Sequence, residues 1–102
     1  MERLIEEHQQ DLARLCQSHN VRRLEVFGSA ATGKFDALAS DLDFLVEFSP
    51  MSRGELVDSY FGLTEALESL FRRPIDLVMT EAIDNPFFLR AIAPSRTLLY
   101  AA

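Results

Sequence analysis

The chain of 102 residues is long enough for a single compact domain spanning 1–102 and too short for two. Its hydrophobic fraction of 48% and charged fraction of 25% are ordinary for a globular protein, and no apolar run approaches the roughly 20 residues that cross a bilayer, so we expect no membrane partner. The formal net charge of −6 argues against a nucleic-acid polymer as a direct ligand, whereas a single nucleotide whose charge is offset by metal ions remains compatible.

The first predicted element is an amphipathic helix from residue 2 to about residue 18, because apolar residues recur there at helical spacing. Cys16, the only cysteine, falls on the apolar stripe, so we expect a buried structural thiol and a reducing, cytoplasmic compartment. The N-terminus also lacks the basic-then-apolar pattern of a signal peptide. A strand is predicted from Val21 to Phe27, and it ends at Gly28-Ser29.

The rest of the chain alternates strands and helices. After a predicted helical turn and loop, the nearly continuous apolar segment Leu42–Phe48 indicates a strand that is central in its sheet. Ser52 with Glu55 three residues later forms a capping-box pattern, which opens a helix that Pro74 ends. The remaining predicted elements are a strand at Ile75–Met79, a helix at Pro86–Ile92 and a strand at Thr97–Tyr100. This order predicts an α/β domain with a helix-covered sheet.

Gly28-Ser29 is the first candidate for a binding function. The pair follows a predicted strand and opens a short helix, so backbone N–H groups, a hydroxyl and the positive end of a helix dipole meet at one point. A phosphate group suits such a site. Most glycine-serine pairs after a strand are ordinary turns, however, so this feature alone does not identify a ligand.

Asp41 and Asp43 form a more specific pattern. Side chains alternate along a strand with a period of two, so both carboxylates project to the same face. Like charges at this spacing repel each other, and a divalent cation removes the repulsion. Magnesium typically binds one or two carboxylates together with substrate phosphates. The alternative is a pair of solvated aspartates at a strand edge.

Asp76 is a lone charge inside the otherwise apolar strand Ile75–Met79. A carboxylate in mid-strand costs several kcal/mol in desolvation unless it is paired or binds a metal. If this strand lies beside Leu42–Phe48, Asp76 reaches the same metal centre as the other two aspartates. The alternative is an ion pair with Arg72 or Arg73.

The spaced combination of these features resembles the polymerase-beta-like nucleotidyltransferase superfamily. Within it, the chain is most similar to the minimal nucleotidyltransferases, the antitoxin partners of HEPN proteins. The matching segments cover nearly the whole chain and are Gly28–Gly33, Ser40–Glu47, Ile75–Val78, Phe88–Ile92 and Leu98–Tyr100. The resemblance implies a small mixed β-sheet packed by helices, with a two-metal centre for phosphoryl transfer.

The resemblance also implies a role for each matching residue. Asp41, Asp43 and Asp76 would form the catalytic, metal-binding triad, with Asp76 helping to activate the acceptor hydroxyl. The nucleotide-binding residues would be Gly28, Ser29, Lys34 and Ser40. The implied reaction transfers AMP from magnesium-ATP to a tyrosine of a partner HEPN toxin, which silences the RNase activity of the toxin. Such a protein would form a hetero-oligomer with that partner.

Two departures from the family pattern bear on activity. Thr32 stands where the family usually has an arginine before the second glycine of the turn, and the nearby Lys34 lacks the planar fork of arginine. Pro94 and Ser95 stand where the family commonly has a glutamate. The alternative function is a binding module that neutralises its partner by complex formation. A third is transfer to a small molecule such as an aminoglycoside, with a partner subunit supplying the acceptor pocket.

Overall fold

The computed structural model describes residues 3–32 and 41–102. The helices are α1 (Arg3–Glu7), α2 (Gln9–Ser18), α3 (Ser29–Thr32), α4 (Arg53–Phe71) and α5 (Pro86–Ile92). The strands are β1 (Val21–Phe27), β2 (Leu42–Phe48), β3 (Ile75–Met79) and β4 (Thr97–Ala101). Two short 3₁₀ turns lie at Thr80–Ala82 and Ala93–Ser95. The predicted elements are therefore present in the predicted order.

The predicted first helix is divided in two, which differs from the single helix expected. His8 separates α1 from α2 and has φ −113° and ψ 21°, outside the helical range. Its ring packs edge-on against Phe71 with centroids 5.5 Å apart, and its Nδ1 lies 3.1 Å from a carboxylate oxygen of Asp11. These contacts hold the side chain in place at the point where the helix is interrupted.

The four strands form one mixed sheet in the order β3-β2-β1-β4. β1 is antiparallel to both β2 and β4, whereas β2 and β3 are parallel. The parallel pair needs a long crossover connection, which α4 supplies. The predictions of a mixed sheet and of a central β2 are both confirmed, and β3 becomes an edge strand of the described sheet.

One face of the sheet packs against α2 and α4 to form the core. Alternate residues of β1 and β2 point into it, so Leu24, Val26, Phe44 and Val46 are fully buried. The helix residues buried in the same cluster are Ile5, Leu12, Cys16, Ala30, Leu63, Leu67 and Phe71. The opposite face carries the alternating residues of the other parity, and the candidate active site lies there.

Local contacts fix both ends of α4, the longest helix described. The Ser52 hydroxyl accepts a hydrogen bond from the Glu55 backbone N–H at 3.3 Å, as the capping-box pattern predicts. Arg72 adopts the left-handed conformation with φ 54°, and its N–H donates to the Glu68 carbonyl. The turn at Arg72 lets the chain reverse into β3, which brings Asp76 beside β2.

Cys16 is fully buried, and burial raises the pKa of its thiol to about 12. The thiol is therefore protonated at neutral pH and serves as an apolar core group, as predicted. None of the helices in the described parts of the chain has the length and apolar character needed to cross a bilayer.

Candidate active site

The three aspartates lie on the sheet face opposite the core. Asp43 of β2 and Asp76 of β3 are direct partners in the parallel ladder, so their side chains project side by side from the same face. Asp41 lies just before β2, two positions ahead of Asp43, and its charge adds to the rise in the pKa of Asp43. The topology thus brings Asp76 next to Asp43, although 33 positions separate the two in the sequence.

The carboxylate of Asp43 is in an electrostatically unfavourable place. Burial raises the pKa of Asp43 above its ordinary value, and the negative charges of Asp76 and then Asp41 raise it further. Asp43 is half-buried, whereas both of its acidic neighbours are exposed. Among the residues that the structure describes, a partly desolvated carboxylate thus lies close to further negative charge, and a cation bound there would be favoured.

Asp76 is exposed, which differs from the desolvated position that its apolar neighbours suggested. The reason is topological, because β3 is an edge strand and this face of it is open. The carboxylate that is partly desolvated is that of Asp43. Within residues 3–32 and 41–102, no ion pair joins Asp76 to Arg72 or Arg73. The alternative of an arginine bridge is thus not realised in the described structure.

Gly28 lies directly against Asp43. It follows Phe27, the β1 partner of Asp43, and it has φ +75°, a left-handed conformation that favours glycine. A Cβ atom at this position would stand 2.7 Å from Oδ2 of Asp43, well inside contact distance. The Gly28 carbonyl accepts from the N–H of Ala31, which closes the single turn of α3. Only glycine lets the bend approach the carboxylate this closely.

The chemistry of these residues fits magnesium when the substrate completes its coordination. In the described portion of the chain, no three His, Cys, Asp or Glu side chains stand close enough together to hold a metal ion by themselves. Magnesium usually needs only one or two protein carboxylates and takes its other ligands from water and substrate phosphates. Asp41 and Asp43 supply oxygen donors of that kind on one face. They suit a metal that arrives with a triphosphate.

Two predicted nucleotide-binding residues, Lys34 and Ser40, lie outside the described residues, so their roles remain predictions. Ser29 is the first residue of α3 and is half-buried beside Gly28. Its position agrees with the predicted turn, and its role toward phosphate also stays a prediction. The turn and the Asp-x-Asp strand are therefore close together through Gly28 and Asp43.

Sequence reasoning missed an ionic cluster on the same face, in which the buried Glu25 pairs with the more exposed Arg23 and Arg96. Arg96 binds Glu25 through two hydrogen bonds of 2.9 Å and 2.8 Å, and Arg23 adds a third of 3.0 Å. The bonds from Arg96 lower the pKa of Glu25 despite its burial, and those from Arg23 lower it further. The sequence feature that could have indicated this cluster is Glu25, a lone charge between the apolar residues Leu24 and Val26.

Among the described residues, α5 borders the face that carries the aspartates. Phe88 of α5 packs edge-on against Phe27 with ring centroids 6.0 Å apart. The next aromatic, Phe87, is 71% exposed, with the guanidinium carbon of Arg90 5.7 Å from its ring centroid. A groove of about 410 Å³ between α2 and α4 lies on the core side of the sheet and includes none of the three aspartates. Of the three aspartates, Asp41 and Asp76 are exposed.

A model of the nucleotidyltransferase domain matches residues 6–99 of the sequence. The chain belongs to this family. The match covers the glycine-serine turn, all three aspartates and α5, so the predicted resemblance is confirmed and the molecule is a nucleotidyltransferase domain. No curated protein sequence is similar enough to this nucleotidyltransferase domain to count as a match.

Solved structures agree with this assignment. A structure described as a candidate minimal nucleotidyltransferase is 28% identical to this domain, covers 95% of each chain and has a TM-score of 0.75. A toxin-antitoxin complex with AMP-PNP has a TM-score of 0.68 at 16% identity, covering 92% of this chain and 73% of that one. A tri-AMPylated Shewanella oneidensis HEPN toxin with its MNT antitoxin has a TM-score of 0.65 at 14% identity, covering 96% and 73%. The last two similarities establish the shared fold.

Proposed function

We propose that this nucleotidyltransferase domain transfers AMP from magnesium-ATP to a tyrosine hydroxyl of a partner HEPN toxin, and thereby acts as its antitoxin. The observation that carries the proposal is the pairing of Asp43 with Asp76, beside Asp41 and against the Gly28 bend. The complexes of similar fold support the choice of nucleotide and partner, since one contains AMP-PNP and another an AMPylated HEPN toxin.

In the proposed mechanism, Asp41 and Asp43 would hold magnesium. The Gly28-Ser29 turn would receive the triphosphate, with help from Lys34 and Ser40. When bound, the metal neutralises the triphosphate and the charge that develops as the phosphorus is attacked. Asp43 suits this role because burial and the neighbouring charges of Asp76 and Asp41 disfavour its own negative charge. The glycine at position 28 lets the turn lie close to that carboxylate.

The exposure of Asp76 supports a role for this carboxylate toward the acceptor. Its exposed carboxylate adjoins Asp43 and faces solvent, where a hydroxyl of another protein can reach it. The acceptor oxygen attacks the α-phosphorus and forms a phosphoester bond, while the bond between the α-phosphorus and the bridging oxygen breaks and pyrophosphate leaves. Asp76 orients the hydroxyl and accepts its proton.

The proposal is tested by incubating the protein with magnesium, ATP labelled in its adenine and the protein encoded in the adjacent gene. Wild type should attach the label covalently to the partner, and the Asp41→Asn, Asp43→Asn double variant should lose at least about 100-fold of this rate, as expected when charge stabilisation is removed. Asp58→Asn, which changes an exposed carboxylate on α4, is the matched control and should label like wild type. Full labelling by the double variant would refute the proposal.

The second candidate function is neutralisation by complex formation without catalysis. It is favoured by the lack of three converging ligands among the described residues and by Thr32 in place of the usual arginine. Cells that express the toxin distinguish the two functions. Catalysis predicts that the double variant fails to protect them although it still binds the toxin, whereas full protection by that variant would favour the binding module.

A further inference from the structure

Gly28 is held by a side chain from the far end of the sequence. Its backbone N–H donates a hydrogen bond of 3.1 Å to the hydroxyl of Ser95, 67 positions away. The same hydroxyl donates to the carbonyl of Ile92 at 2.9 Å, so both of its main hydrogen-bonding capacities are used within the protein. Ser95 therefore fixes the backbone of the bend that touches Asp43.

This bond continues the attachment of β1 to β4 beyond their ladder. The last residue pair of that ladder is Val26 and Thr97. Two residues beyond it, the Gly28 N–H donates its hydrogen bond to the Ser95 hydroxyl. The Thr97 hydroxyl in turn donates to the Ser95 carbonyl at 3.2 Å, which stabilises the start of β4. The bend is thus anchored where the backbone ladder no longer supports it.

Arg96 anchors the same segment at a second point. Its guanidinium binds Glu25, three residues before Gly28, in a bidentate arrangement, and Glu25 is only 5% exposed. A bidentate arginine-carboxylate pair is directional, so it limits how the neighbouring Ser95 can move. Two consecutive residues therefore attach the end of β1 to the 3₁₀ turn at Ala93–Ser95.

We propose that Ser95 is a positioning residue of the active site, which sets the distance between the Gly28 bend and the Asp43 carboxylate and so tunes binding of the nucleotide. This inference rests on the proposed function for the identity of the ligand. Its physical basis is the short path from the Ser95 hydroxyl through the Gly28 backbone to Asp43, whose Oδ2 lies 2.7 Å from the position of a Cβ at residue 28. Because the Gly28 N–H already has a partner, glycine here contributes close approach and a fixed bend rather than a free donor.

Hydrogen exchange at Gly28 tests the anchoring directly. In Ser95→Ala, the Gly28 amide should exchange about five- to tenfold faster than in wild type, which corresponds to the loss of one hydrogen bond. The amide of Val26 within the ladder should keep its rate. Ser95→Thr keeps a hydroxyl and should restore slow exchange at Gly28. The control is Ser69→Ala, which changes an exposed serine of α4, on the side of the sheet away from the aspartates.

Nucleotide affinity, measured on the same four proteins by calorimetry with magnesium and a non-hydrolysable ATP analogue, tests the positioning role. Ser95→Ala should raise Kd about five- to tenfold, with Ser95→Thr and Ser69→Ala within about twofold of wild type. Unchanged exchange at Gly28, unchanged or tighter binding by Ser95→Ala, or no recovery in Ser95→Thr would each overturn the inference. No binding by wild type would instead refute the proposed function.

Discussion

At the scale of single residues, Asp43 determines how the site responds to pH. Its pKa is raised above the ordinary value of 3.8 in the folded protein. At a pH between the unfolded and folded pKa values, Asp43 therefore takes up a proton when the protein folds. Stability therefore falls as pH rises through that range, and the cost persists at neutral pH. This is the expected behaviour of a carboxylate that needs a cation.

We predict that Asp43→Asn raises the melting temperature at neutral pH by a few degrees while it abolishes nucleotidyl transfer. The amide removes the charge that burial, Asp76 and Asp41 disfavour. The gain should disappear well below pH 3.8, where the wild-type carboxyl is also neutral. Thermal unfolding of both proteins across pH measures this. A loss of stability at neutral pH would contradict the electrostatic account.

Gly28 yields a second prediction at this scale. Gly28→Ala should destabilise the protein by at least about 1–2 kcal/mol, because φ +75° disfavours an L-residue and the new Cβ would meet Asp43. It should also weaken binding of magnesium-nucleotide. Gly54→Ala is the control, since that glycine lies in α4 with open space around its Cβ position, and it should be neutral or stabilising by about 0.5 kcal/mol. Chemical denaturation of both variants gives the comparison.

The sequence predicts site residues that are close together along the chain better than contacts between distant positions. Asp41 and Asp43 are recognisable because two positions on one strand share a face whatever the fold. Asp76 needed the further assumption of neighbouring strands, and its exposure followed from the edge position of β3, which no local pattern reveals. Ser95 was noted only as a departure from the family pattern, because its contact with Gly28 spans 67 positions.

At the scale of elements, the predictable features were those with local causes. The bounds of β1, β2, β3 and α5 match the sequence prediction, since alternating or continuous apolar patterns and Pro or Gly mark their ends. The division of the first helix at His8 was missed because it accompanies a contact with Phe71, a tertiary interaction. Sheet order and the antiparallel placement of β4 likewise depend on packing.

The attachment of β1 to β4 through Glu25 gives a prediction for the element scale. The pKa of Glu25 is lowered below its ordinary value of 4.5 by hydrogen bonds from Arg96, so its contribution to stability is present above that pH and is lost as pH falls through the folded pKa. Glu25→Gln should lower the free energy of unfolding by about 1–3 kcal/mol at neutral pH. It should also weaken the dependence of stability on pH in the acid range. Equal pH dependence in wild type and variant would refute this role.

The N-terminal cap of α4 allows an independent check on the crossover helix. Ser52→Ala removes the acceptor for the Glu55 N–H and should cost about 1 kcal/mol, lowering the melting temperature by several degrees. Nucleotide affinity should stay within about twofold of wild type, because the cap lies at the far end of β2 from Asp43. Thermal unfolding and calorimetry check the two expectations. A large loss of binding would show that α4 is coupled to the site.

At the scale of the whole molecule, the net charge of −6 and the open carboxylate face make a metal-accompanied ligand the natural partner. We predict that magnesium with a non-hydrolysable ATP analogue, at about 100 times its Kd, stabilises the protein by about 2.7 kcal/mol. EDTA should remove this effect, and the Asp41→Asn, Asp43→Asn double variant should not respond. Thermal unfolding provides the readout, and equal stabilisation with EDTA would exclude a metal-dependent site.

The central claim is that the aspartate face performs nucleotidyl transfer, and the position of the transferred phosphorus tests it most directly. The protein and magnesium are incubated with the proposed HEPN partner and with ATP labelled at either the α- or the γ-phosphate. The account predicts covalent label on the partner from α-labelled ATP alone, with loss of that label in the double variant. Covalent transfer from γ-labelled ATP, or no transfer from either, would contradict it.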